Sequence, residues 1–241
     1  MISHPRTDAY GFRLRGGENT RIEAFTDAAF AFALTLLVIG GNRAPGSIQE
    51  LVQALDGVPA YAACFALLCI FWHAHYIWYR RYGIEDGRST LLSLALVFLV
   101  LIYVYPLHML FSTALSWSGG DTPLPNAIVR DRHDVTLMFV IYGIAYAALS
   151  AIVLFLHAHA WSLRERLRLD EAERMVTRNG VLRWSYNVGI SLMSAALALA
   201  IPNDAPSIAR ALPGVIYLLL LVFGIASRRY LRRQLAALKT A

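Results

Sequence analysis

Two carboxylates one helical turn apart, Glu23 and Asp27, open a stretch that carries no further charge from Ala28 to Ile39. Spaced i, i+4 on a helix they share a face, with Arg21 beside them. Glu23 fits a solvated helix start, where an acid meets the positive end of the dipole. Asp27 lies deeper, with apolar residues on both sides, and an ionisable group there needs an arginine or histidine partner. The candidate partner is His75, within Phe71-Trp72-His73-Ala74-His75-Tyr76. His73 and His75, two residues apart on a helix, point to nearly opposite sides, and so do His157 and His159. Neither pair can hold one metal ion. Cys64 and Cys69, five apart, imply neither a disulfide nor a metal site and read as core fillers.

Further along the first apolar stretch, Phe32, Leu36 and Ile39 fall on one helical face at i, i+4 and i+7, and Thr35 adjoins both Phe32 and Ile39. By itself this face fits a helix packed in a bundle or turned to lipid. Ser93 is a candidate member of a polar cluster near Asp27 and His75. Asn187, Ser191 and Ser194 share a face and read as the small polar glue of membrane helices. Pro106, inside Tyr103-Val104-Tyr105-Pro106-Leu107-His108, frees a backbone carbonyl and predicts a kink. His108 reads as a packed residue. No glycine-rich phosphate loop, nucleophile elbow, zinc motif or carbonyl-type potassium filter appears in the sequence, and no internal repeat. Nothing points to an enzyme or to a cofactor.

The elements that must position these residues follow from composition. The chain has 241 residues, 57% of them hydrophobic and 16% charged, with a mean hydropathy of +0.49. A soluble domain carries about 25% charged residues, and here the apolar excess is gathered into long runs. Six of them approach or reach the length needed to cross a bilayer, at 22–40, 57–79, 90–116, 135–160, 184–201 and 210–227. The first run follows a polar segment with no cleavage site and is expected to be retained.

The formal charge of +6 in a soluble protein would point to an acidic partner such as nucleic acid. Here it labels topology. Eighteen of the 22 basic residues fall before the first span, after the second, after the fourth and after the sixth. Only Arg43, Arg130, Arg132 and Arg210 fall on the other side. This alternation predicts an all-α integral membrane protein with six transmembrane helices and both termini cytoplasmic. Its organisation would be a polar tail at 1–20, a membrane domain at 21–227 and a basic tail at 228–241.

Arg21-x-x-x-Phe25-Thr26-Asp27 resembles the R-x-x-x-F-S-D signature of the transmembrane protein 175 family of potassium channels, which are endolysosomal in animals and also occur in bacteria. The likeness continues through Thr35-Leu36-Leu37-Val38 and into Trp72 and His75. The six-span topology is similar to one channel repeat of that family. The resemblance implies a single-repeat bacterial member in the inner cell membrane, assembled as a homotetramer that passes potassium and other monovalent cations without a cofactor.

It further implies that the first helix lines the pore, with Phe32, Leu36 and Ile39 as an apolar constriction and Thr35 adding a hydroxyl. Arg21, Phe25, Thr26, Asp27, Trp72, His75 and Ser93 would be the network that anchors this helix. Thr26 stands where the family usually has Ser, Ser93 where Asn is expected, and Phe32 where Ile or Leu is usual. A ring of phenylalanines narrows a pore, favours dewetting, or offers π faces to a cation. The alternative from another class is a proton-coupled transporter that uses Asp27, His75 and His108 as a titrating relay.

Overall fold

The computed structural model describes residues 6–17, 19–39, 46–118, 132–202 and 205–240. Within them the chain forms α1 (Arg21–Ile39), α2 (Ile48–Asp56), α3 (Val58–Tyr82), α4 (Gly87–Ser118), α5 (Arg132–Ser162), α6 (Glu171–Ala200), α7 (Ser207–Val215) and α8 (Leu218–Thr240). Local chemistry sets several of these boundaries. Thr20 and Glu23 cap α1 reciprocally: the Glu23 carboxylate accepts from the Thr20 amide at 3.1 Å, and the Thr20 hydroxyl accepts from the Glu23 amide at 3.3 Å. The Ser47 hydroxyl accepts from the Glu50 amide at the start of α2. α3 ends at Gly83, whose φ of +55° suits a residue without Cβ and lets its amide reach the Tyr79 carbonyl.

Four helical stretches are long and apolar enough to cross a membrane among the described residues: Val58–Tyr82, Gly87–Thr113, His133–Ser162 and Ile208–Leu238. α1, at 19 residues, is near the minimum length for a span. The expected run at 184–201 is only the outer part of a 30-residue α6. A capping box, Asp170 with Glu173, starts that helix inside the charged separator, so the separator is largely helical. The C-terminal half of α6 is diluted by Ser185, Asn187, Ser191 and Ser194, so it is less apolar than the four stretches above. The expected run at 210–227 is broken at Ile216–Tyr217 between α7 and α8, just after Pro213. The basic segment after 227 continues α8 as helix to Thr240.

Packing arranges the helices from one margin of the bundle to the other. α1 rests on α3 and α4, α4 and α3 on α5, α5 on α6, and α6 on α7 and α8. The core between α3, α4 and α5 is built from Leu68, Phe71, Leu96, Val100, Leu107, Leu149, Val153 and Leu156, with the Trp78 indole donating to the Leu156 carbonyl at 2.9 Å. α5 and α6 approach closely at Gly143, where a Cβ would stand 2.9 Å from the Ser191 carbonyl oxygen. Pro106 lies inside an uninterrupted α4.

Residues 6–17, part of the expected polar tail, fold back on the bundle. A turn around Gly11 (φ +79°) pairs Thr7 with Arg13 in a single β-bridge and buries Phe12 against the edge of Tyr82 at 5.4 Å. This segment is called the clasp below.

Candidate pore-lining site and its anchors

α1 presents two different faces. Glu23, Thr26, Phe30, Ala33 and Leu37 repeat at alternating three- and four-residue spacing, and all are buried within the chain. Such a stripe is what one side of a packed helix requires. The other side is bare: Phe25 is 53% exposed and Phe32 is 56% exposed, in line with exposed Ala24, Ala28, Ala31 and Thr35. Leu36 lies on the border of the two faces, half-buried against the core. Ile39 ends α1, and its side chain falls outside the described residues. The Thr35 hydroxyl donates to the Ala31 carbonyl at 3.0 Å, which leaves its oxygen lone pairs toward the bare side as acceptors.

The anchoring residues form two separate contacts instead of one network. The Trp72 indole donates to Asp27 Oδ1 at 2.8 Å near the exposed margin of α1 and α3. Behind it, buried His75 meets Ser93 Oγ through Nε2 at 2.9 Å. The Ser93 hydroxyl proton goes to the Ser89 carbonyl at 2.8 Å, so Ser93 accepts from His75 and the ring proton sits on Nε2. The direct Asp27–His75 pair expected from the sequence does not form. Asp27 takes the indole, and His75 is turned inward toward α4. Thr26 is fully buried, and its hydroxyl donates back to the Ile22 carbonyl at 2.8 Å. Arg21 and Phe25 are exposed at the start of α1.

Glu23 is not the solvated residue its position implied. It is buried, caps its own helix and faces Arg80 Nε at 3.8 Å. Arg80 also donates to the Gly16 carbonyl at 3.2 Å and to the Asn19 side chain. α3 therefore holds the turn that leads into α1.

A second anchor had no place in the sequence reading. Glu173, 1% exposed, accepts from Arg13 Nη2 at 2.8 Å and from Arg15 Nη2 at 2.7 Å, with the Arg13 amide donating to its other oxygen at 3.0 Å. Burial by itself would raise this carboxyl. The hydrogen bonds from Arg13 and Arg15 and from the Arg13 and Asp170 amides outweigh it and hold the group at about 2. Arg81 closes the clasp by pairing with Asp8 at 2.8 Å and by lying over the Phe12 ring. Gly16 sits where a Cβ would come within 2.7 Å of the Tyr79 carbonyl oxygen, so the clasp can pass only without a side chain there. The signal available in sequence was the Asp170-x-x-Glu173 spacing of a capping box.

Among the described residues no group of three or more His, Cys, Asp or Glu side chains is placed to hold a metal ion.

A bundle of long apolar helices that meet through small and polar residues is a multi-pass membrane protein. The family model described as "Endosomal/lysosomal potassium channel TMEM175" matches residues 21–106, the part that holds α1, α3 and the first part of α4. A potassium channel of Marivirga tractuosa is 31% identical over 235 residues, covering 93% of this chain and 94% of that protein. A potassium channel of Streptomyces collinus is 26% identical over 192 residues, covering 76% and 87%. Among solved structures, a variant of the potassium channel MtTMEM175 bound to a nanobody–MBP fusion superposes with a TM-score of 0.81 at 28% identity, over 93% of this chain and all of that one. A TMEM175 homolog from Chamaesiphon minutus, described as a lysosomal potassium-selective channel, shares the fold at 22% identity with a TM-score of 0.56, over 86% of this chain and 96% of its own. The chain belongs to the TMEM175 family of potassium channels.

Proposed function

We propose that the chain is a potassium-preferring cation channel that assembles as a homotetramer, with the bare face of α1 lining a central pore. The observation that carries this reading is the bare face itself. Phe32 and Phe25 stand more than half exposed on a helix whose opposite side is completely packed, at the margin of the bundle where a symmetry mate would meet it. One such helix per subunit lines a pore only when a ring closes it. Phe32 and Thr35 face the pathway, Leu36 sits at its edge and Ile39 belongs at its far end. Conduction is passive and needs no cofactor. A hydrophobic constriction of this kind regulates passage by dewetting instead of by a carbonyl cage.

Arg21, Phe25, Thr26, Asp27, Trp72, His75 and Ser93 set the position and tilt of α1 in this reading. The channel unit spans 21–227 as six membrane crossings, with α1 and the outer part of α6 joining the four apolar stretches. The 1–20 and 228–241 segments lie on the cytoplasmic side with most of the arginines, in the inner membrane of a bacterium. The proton-coupled alternative gains no support from the arrangement, which gives Asp27 the Trp72 indole and His75 the Ser93 hydroxyl.

The test is potassium and sodium flux from protein reconstituted in liposomes. Wild type should pass potassium faster than sodium down its gradient, with no proton gradient required. Phe32→Ala should widen the constriction, raise flux and reduce the potassium preference. Unchanged flux and preference in that variant would overturn the constriction, and uptake that demands a proton gradient would overturn the channel.

A further inference from the structure

At the margin of the bundle opposite α1, α6 and α8 diverge and leave a groove of about 330 Å³. Its walls change character along its length. One end is lined by Leu182 and Phe223; toward the other, Arg178, Asn179, Ser227 and Gln234 join Met175, Tyr230 and Leu231. The same switch runs along α8, where the apolar stretch from Leu218 gives way to Arg228, Arg229, Arg232 and Arg233. The groove thus straddles the level at which the bundle leaves hydrocarbon for the headgroup layer.

Its polar side chains also have few partners within the chain. Among the described residues, the side chains of Asn179 and Gln234 make no hydrogen bond within the chain, and Arg178, Arg228, Arg229, Arg232 and Arg233 make no ion pair. Arg178 lines the groove from α6, and Arg228, Arg229, Arg232 and Arg233, on the exposed side of α8 next to it, add positive charge beside its amide donors. Packing against a neighbouring subunit is not expected here when α1 faces the symmetry axis.

We infer that this groove binds an anionic phospholipid of the adjoining leaflet. The phosphate takes hydrogen bonds from Arg178, Asn179 and Gln234, and the upper part of one acyl chain lies along Leu182 and Phe223. Charge complementarity selects an anionic over a zwitterionic headgroup, and the apolar end selects a lipid over a free anion. Placing the groove in the cytoplasmic leaflet rests on the topology proposed above. Lipid retention is measured without ion flux, so a failure of the channel reading and a failure of this one are separate results.

Delipidated protein in detergent would be titrated with phosphatidylglycerol or phosphatidylcholine, and bound lipid counted by native mass spectrometry. Wild type should retain phosphatidylglycerol in preference. Ser227→Trp fills the groove without changing charge and should abolish that preference, while Ser227→Ala keeps it. Arg178→Gln should weaken retention by about fivefold, the order of one basic side chain's attraction to an anionic headgroup. Arg166→Gln, which removes an exposed arginine of the 162–170 segment, should change it less than twofold. If Ser227→Trp fails to fold, Arg178→Gln against Arg178→Lys decides, with Lys restoring retention. Equal retention of the two lipids, or equal losses in Arg178→Gln and Arg166→Gln, overturns the site. Displacement of phosphatidylglycerol by inorganic phosphate overturns the lipid assignment.

Discussion

Asp27 and Trp72 meet through one hydrogen bond between α1 and α3, and each could be removed alone. Trp72→Phe keeps the ring and drops the donor, so it should cost about 1.5–3 kcal/mol, as for a hydrogen bond to a charged group, less whatever water restores at this exposed margin. Asp27→Asn keeps an acceptor and should be milder. Thermal unfolding in detergent checks both, and a larger loss in Asp27→Asn than in Trp72→Phe would mean that Asp27 has a partner beyond the indole. Glu173 behaves differently because it is buried between two arginines. Its folded-state carboxyl lies at about 2, below its ordinary value of 4.5. A depressed carboxyl contributes fully above the ordinary value and loses that contribution as pH falls from about 4.5 toward 2. Wild-type melting temperature should therefore fall across that window. Glu173→Gln should be less stable by about 3 kcal/mol at neutral pH and flatter across the same window. Parallel curves for the two proteins would deny the carboxylate this role.

At the scale of the element, α1 shows how much could be read from spacing and where reading stopped. The uncharged run after Asp27 and its polar start predict a helix here, and the structure gives one over Arg21–Ile39. Spacing grouped Phe32, Leu36 and Ile39, yet it could not say which side of the helix the rest of the chain would cover. α3 and α4 cover the side centred on Phe30 and Ala33, and this shifts Leu36 to the border. Burial of Glu23 was equally invisible, since it depends on Arg80 arriving from another helix. The mixed charges between Arg164 and Arg183 suit a cytoplasmic helical linker, but they do not reveal that the helix begun at Asp170 and Glu173 runs unbroken into the next apolar run. The α5–α6 contact yields a direct prediction. Gly143→Val places a branched Cβ against the Ser191 carbonyl and should separate the two helices. The expected result is a loss of about 1–3 kcal/mol in thermal unfolding, as overpacking costs, whereas Gly189→Ala meets nothing within 4 Å and should be near neutral.

Over the whole molecule, the order of packing places α1 and α8 at opposite margins. That order assigns the two margins different environments in the tetramer proposed here, one toward an axis of symmetry and one toward lipid. Cysteine substitution at Ala28 on the bare face tests the arrangement. Oxidation should link subunits in pairs that disappear on reduction, while a cysteine at Leu221, exposed on α8, should not form them. The reverse pattern would put α8 at the subunit interface. Arginine segregation in the sequence reports which ends share a side of the bilayer, but it contains no information on the order of helices around the bundle. That order comes from side-chain fit, such as Gly143 under Ser191 and Trp78 on the α5 backbone.

The clasp has a bearing on how the chain is made. Arg13 and Glu173 are separated by 160 residues, so the clasp waits for α6 to be made before its two arginines find their carboxylate. Until then the turn that leads into α1 is held from the end of α3, by Arg80, Arg81 and the packing of Phe12 on Tyr82. Two stages are expected, with the α3 contacts made first and a late lock that closes when Glu173 arrives. Nascent chains halted before α6 should leave the 6–17 segment open to protease, and chains halted after it should protect that segment.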